Sequence, residues 1–202
     1  MQVVPVDQLS EAGLAQLRRI YEDSFPDWER EDFDELVRMP ARSCFRQLAL
    51  TDDDTVLGLA LLSLLPSVDW WFLGYFAVLA QQRNHGIGTF FWDTIRQQLV
   101  EPVVLEIEDV EAPELDVARR RLRQRRLEFW RRQRFDVLSV ANYQVPWLTG
   151  SGHERMLLMA SPAHLLHGPQ DLVRLLVALY TEGYSLPEHS PLLAAAIAST
   201  TT

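Results

Sequence analysis

The sequence predicts an α+β fold, one mixed and mostly antiparallel sheet flanked by helices and followed by a helical C-terminal extension. Three observations predict it. Two helix-period stretches precede three strand-like runs separated by turns, the order of a meander. A polar loop with two glycines then opens a helix, and strand-like and helical segments follow as far as residue 159. Composition changes at Pro162, beyond which two apolar helical runs are split by Pro187 and Pro191. Residues 1–162 therefore read as one domain and 163–202 as a helical extension packed on it, too small to stand alone.

Each element has a local reason. Residues 8–22 space Leu9, Leu14, Leu17 and Tyr21 at helical intervals, with Ser10 and Glu11 near the start. Ser24-Phe25-Pro26-Asp27 breaks that helix, and Glu29 to Met39 reads as a second one ending at Pro40. Phe45 to Leu50, Val56 to Leu65 and Trp70 to Leu79 read as strands, parted by Asp52-Asp53-Asp54 and Pro66-Ser67. After the polar loop from Ala80, the residues Ile87, Phe91, Ile95 and Leu99 mark a helix face that ends at Glu101-Pro102. Val103 to Glu108 is strand-like, and Asp109 to Pro113 is a loop. Asp116 to Arg134 is a long helix, Phe135 to Val145 a strand, Gly150-Ser151-Gly152 a hairpin loop and His153 to Met159 a final strand. Leu172 to Tyr180 and Leu192 to Ile197 are helical.

Composition removes several function classes. All nineteen basic residues are arginine, so a Walker A loop, a pyridoxal Schiff base and a lysine nucleophile are excluded. One cysteine, Cys44, excludes a disulfide framework and cysteine-rich metal sites, and it fits a reducing cytoplasm. The formal charge of −9 opposes nucleic-acid binding, although Asp116 to Arg134 holds nine arginines against two acids. That helix reads as a solvated face rather than a nucleic-acid surface. No apolar run has the length of a membrane span and no signal-peptide pattern opens the chain, so the expectation is a cytoplasmic protein without membrane contact. His164 and His167 have no nearby companion ligand, so no metal is expected.

The loop carries the chemistry. Helix N-termini present unpaired N–H groups and partial positive charge, and glycine lets the backbone approach a phosphate. Arg83-Asn84-His85-Gly86-Ile87-Gly88 has the spacing R-x-x-G-x-G and is followed by Thr89 at the opening of a helix. A dinucleotide-binding reading fails because Phe91 stands where a third glycine is needed. Leu73-Gly74-Tyr75-Phe76-Ala77-Val78 precedes the loop, and Arg126-Leu127-Glu128-Phe129-Trp130 is followed by Phe135. In these three stretches, and in element order over about residues 1–160, the chain resembles the GCN5-related N-acetyltransferases (GNAT).

The resemblance implies a sheet whose two central strands splay apart and an acetyl-CoA co-substrate with no metal. It implies that Ala77 and Val78 pair with pantetheine while Arg83, Asn84, His85, Gly86, Ile87, Gly88 and Thr89 cradle the pyrophosphate. It further implies direct attack by a primary amine on the thioester, the amine belonging to a small molecule or an exposed amino group. A homodimer is compatible with this. Two family features are missing. Gly74 stands where members often carry an acid, and Trp130 and Arg134 replace the tyrosine and glycine of F-Y-x-x-x-G-F. A proton acceptor is needed because an alkylamine is neutral only to about one part in 10³ at pH 7. Glu106 and Glu108, alternating onto one strand face, are the candidates, with Tyr143 as a third. The alternative function is a catalytically weak acyl-CoA-binding or regulatory protein. Trp28, Trp70, Trp71 and Tyr75 could line an acceptor pocket, although core packing of at least half of them is the simpler expectation.

Overall fold

The computed structural model describes residues 1–38, 44–112 and 116–200. They fall into two compact units, one of Met1–Leu64, Leu73–Val100 and Leu148–Gly150, the other of Leu65–Phe72, Glu101–Trp147 and Ser151–Thr202.

The first unit begins with β1 (Gln2–Pro5), α1 (Glu11–Ser24) and α2 (Phe33–Arg38). Next come β2 (Phe45–Asp52), β3 (Thr55–Leu65), most of β4 (Trp70–Val78) and α3 (Ile87–Arg96). α1 starts three residues later than its apolar period suggests, because Ser10 caps it by accepting the Gly13 N–H at 3.2 Å. The second predicted helix is shorter, a 3-10 turn over Asp27–Glu29 and then α2; Met39 and Pro40 lie outside the described residues. β1 is an addition to the sequence reading. Four residues carry too little alternation to announce a strand, and β1 exists because β2 offers its antiparallel edge, with Val3 opposite Leu50. α1, α2 and the strands enclose Leu17, Ile20, Tyr21, Phe33, Leu59 and Tyr75.

The second unit contains β5 (Val103–Glu108), α4 (Val117–Arg132), β6 (Asp136–Val137), β7 (Gln144–Pro146) and β8 (His153–Ser161). α5 (Pro169–Ala178) continues into a π turn at Leu179–Gly183, and α6 (Pro191–Ala198) follows. Asp116 caps α4 by accepting the Arg119 N–H at 2.8 Å. The single strand expected over Phe135 to Val145 is instead broken in two. Between β6 and β7 the backbone turns to the C-terminal tail: Ala141 N–H donates to the Ser199 carbonyl at 3.1 Å, and Asn142 N–H to Ser199 Oγ at 2.9 Å. Those donors leave the β8 ladder because a partner distant in sequence satisfies them. Leu172, Leu175, Leu176, Tyr180 and Leu193 from the C-terminal helices share one core with Val104, Tyr143 and Leu158.

The strands follow the order β1-β2-β3-β4-β5-β8-β6 in one eight-stranded sheet, with β7 also on β8. The mixed, mostly antiparallel α+β expectation holds. No helix among the described residues is long and apolar enough to cross a membrane.

Candidate active site

The loop after β4 is held by what surrounds it in the first unit. Ala77 and Val78 are buried at the strand end, and Leu79 N–H donates to the Leu57 carbonyl at 2.8 Å. Behind the loop, α3 lies hard against the strands. A Cβ on Gly58 would stand 2.9 Å from the Ala77 carbonyl oxygen and 3.1 Å from the Phe91 ring. Phe91 stacks on Phe76 with centroids 5.3 Å apart, and Ile87 is buried. α3 therefore begins at a fixed place.

Two loop residues are left-handed, Asn84 at φ 68° and Gly86 at φ 77°. Asparagine tolerates that region and glycine is indifferent to it. Gly86 is the N-cap of α3, and no side chain caps the helix. Arg83, Asn84, His85, Gly86 and Thr89 are exposed, and Gly88 is partly buried. The Arg83 guanidinium turns back to the strand end, donating through Nε to the Val78 carbonyl at 3.0 Å and reaching Ser24 Oγ at 3.4 Å. It fastens the loop while its charge stays in the exposed turn. Chemically this is a positive helix terminus behind a side-chain-poor turn, suited to an anion.

The second unit brings Glu106 and Tyr143 together. Tyr143 O–H donates to Glu106 Oε1, and Tyr184 O–H donates to Oε2. Burial pushes the Glu106 carboxyl up to about 7, against the opposing pull of these two hydrogen bonds. Tyr143 is fully buried, and burial drives its phenol well above the usual range, so it stays a protonated donor. Glu108 is elsewhere engaged, in an ion pair with Arg126 of α4. Sequence reasoning missed Tyr184. Its signal is faint, a tyrosine four residues after Tyr180 beyond the end of an apolar helix.

Trp130 and Arg134 have a structural explanation. Phe135 N–H donates to the Trp130 carbonyl at 3.0 Å and Arg134 N–H to the Arg131 carbonyl at 2.9 Å. With Arg134 at φ 66°, this is a Schellman motif closing α4. Trp130 is buried, and its ring lies 5.2 Å from that of Phe135, the apolar contact such a motif uses. Arg134 occupies the position that favours glycine. Arg134→Gly removes about 1–2 kcal/mol of left-handed strain and returns about 0.5–1 kcal/mol of unfolded-chain entropy. The net gain is about 0–1.5 kcal/mol, so the expected result of a melting experiment is a Tm up to about 6 °C higher; a lower Tm contradicts it.

The remaining candidates are mostly core or surface. Trp70, Trp71 and Tyr75 are buried; Trp71 Nε1 donates to Glu101 at 2.9 Å, and Tyr75 O–H donates to the Glu29 carbonyl at 2.7 Å. Trp28 is partly buried, and its carbonyl accepts the Leu148 N–H at 2.7 Å. On α4, Arg119, Arg120, Arg121 and Arg125 are exposed, while Arg123 reaches the Asp109 carbonyl at 2.8 Å.

The chain matches the family model described as Acetyltransferase (GNAT) family over residues 14–126. No curated protein matches it. Among solved structures it is similar to a Bacteroides thetaiotaomicron protein assigned to the GNAT acetyltransferases, at 21% identity and TM-score 0.70, covering 93% of this chain and 100% of that one. It is also similar to an aminoglycoside 6'-N-acetyltransferase complexed with coenzyme A, at 16% identity and TM-score 0.55, covering 79% and 96%. A third is the ribosomal-protein-S18-alanine N-acetyltransferase of Escherichia coli, at 14% identity and TM-score 0.51, covering 79% and 91%. At these identities the likeness is one of fold, and the family model adds the sequence: the chain belongs to the GNAT family of acetyltransferases.

Proposed function

We propose that the protein is an N-acetyltransferase that moves the acetyl group of acetyl-CoA to a primary amine, on a small molecule or an exposed amino group. The observation that carries this is the loop from Arg83 to Thr89, with its two left-handed residues and the uncapped start of α3. Its backbone N–H groups take the pyrophosphate, and the backbone of Ala77 and Val78 takes the pantetheine amides. The amine nitrogen attacks the thioester carbonyl directly, forming C–N while C–S breaks, and the sulfur leaves as thiolate. Glu106 receives the amine's proton, directly or through water. A carboxyl near 7 is half ionised at neutral pH and suits that task better than one already committed to Arg126. The solved structures named for aminoglycoside and protein-alanine acetylation are compatible with an amine acceptor. Residues 163–202 act as an extension of the acetyltransferase domain.

A turnover assay for free CoA over a panel of amines tests this. Release that depends on an amine supports it. Binding of acetyl-CoA without turnover of any amine favours a regulatory acyl-CoA-binding protein, the reading that exposed Gly74 and buried Trp130 also favour. Nucleic acid is not a proposed partner. Binding at about 0.15 M salt is expected to be weak, and neutralising Arg119, Arg120 and Arg121 to change acetyl-CoA affinity little. Tight RNA or DNA binding at that salt contradicts this.

A further inference from the structure

Both oxygens of the Glu106 carboxylate are held by phenols, and one phenol comes from far along the chain. Tyr184 follows the π turn at Leu179–Gly183, closed by its own N–H donating to the Leu179 carbonyl at 3.0 Å. π turns are rare and recur at functional sites. This one sets the Tyr184 ring beside Phe72, at 6.0 Å, and Tyr180, at 6.3 Å. Tyr180 does not compete for Glu106, because its hydroxyl donates to the Gln144 carbonyl. An ionised carboxylate has about four lone-pair directions, so two phenols fix its rotation and still leave room for an arriving proton.

We propose that Tyr184 is a positioning residue for the transfer: its hydroxyl, donated to Oε2, sets the orientation and basicity of the carboxylate that takes the amine's proton. This rests on Glu106 being that proton acceptor. The titratable groups facing Glu106 are Tyr143, Tyr184 and Tyr180; farther along the same strand face, Glu108 is paired with Arg126. Across β8 its neighbour is Leu158, which carries no charge.

The test compares kcat against pH for the native protein, Tyr184→Phe and Glu106→Gln, with KM for acetyl-CoA measured alongside. Phenylalanine keeps the ring packing and removes the donor to the charged form. The rising limb of kcat in Tyr184→Phe is expected to move up by about one to two pH units, with KM for acetyl-CoA unchanged. 3-Fluorotyrosine at position 184 keeps the fold and strengthens the donor, so it is expected to move the limb down. An activity loss equal at every pH, with the limb in place, marks a merely structural role and overturns the inference. An unmoved limb with the fluorinated residue overturns it as well, even if Tyr184→Phe fails to fold. If Glu106→Gln keeps full activity, the proton-acceptor reading fails first; if Glu106→Gln is impaired while both position-184 variants leave the limb unmoved, only the inference fails.

Discussion

Glu106→Gln is expected to lower kcat about 10²- to 10⁴-fold at pH 7 and to leave the acetyl-CoA-induced rise in Tm unchanged. The amide keeps the size of the side chain and an oxygen for one phenol, but it takes no proton. Because Glu106 sits near 7, native kcat rises with pH through that value, and the deficit of the variant shrinks as pH approaches the amine's own pKa. Stability gives a second readout. The folded pKa is raised from 4.5 to about 7, so the contribution of Glu106 to stability is fully present below about 4.5 and is lost as pH rises through 7. The span is about 3 kcal/mol at 1.36 kcal/mol per unit. Native Tm therefore declines over that window more steeply than Tm of Glu106→Gln. Full activity of the variant at pH 7, or parallel Tm curves, contradicts the assignment. The unfavourable burial that costs stability above pH 7 is also what makes this carboxylate basic enough to take up a proton near neutral pH.

Gly86→Val is expected to abolish the rise in Tm that acetyl-CoA confers. At 100 times Kd, a ligand specific for the folded state stabilises by about 2.7 kcal/mol, a shift of about 5–11 °C for a chain of this size. Nothing lies within 4 Å of a Cβ at Gly86, so the substitution does not clash with the protein. It acts through the backbone. At φ 77° a side chain costs about 1–2 kcal/mol, more when β-branched, and relaxing that strain reshapes the turn at the N-cap of α3. Apo Tm falls modestly while the ligand-dependent shift disappears. Gly88→Val is expected to remove the shift as well, through bulk at the place proposed for the phosphate oxygens. A shift that persists in both variants rejects the loop as the anion site.

Much of the architecture was legible from local chemistry. Ser10 and Asp116 announce α1 and α4 because a capping side chain needs only the next turn of its own helix. β5 falls on Val103–Glu108, the strand-like run read between Glu101-Pro102 and Asp109. β1 was not legible, since its four residues depend on an edge that β2 supplies. The break between β6 and β7 depends on Ser199, about sixty residues away in sequence. The glycine loop was readable because backbone freedom is a property of residue type. The destination of Arg83, back onto the Val78 carbonyl, was not.

Fold class, family and the place of the loop are encoded within a few turns of chain. The sequence also puts Glu106 and Glu108 on one strand face, since side chains two apart point the same way. Their surroundings in the folded chain separate them. Glu106 meets Tyr143 and Tyr184, which stand 37 and 78 positions away, whereas Glu108 meets Arg126 of α4. The physical reason is that a carboxylate's basicity is set by what surrounds it in space, a desolvating core and two phenols in one case and a guanidinium in the other, and no periodicity along the strand records which neighbours arrive.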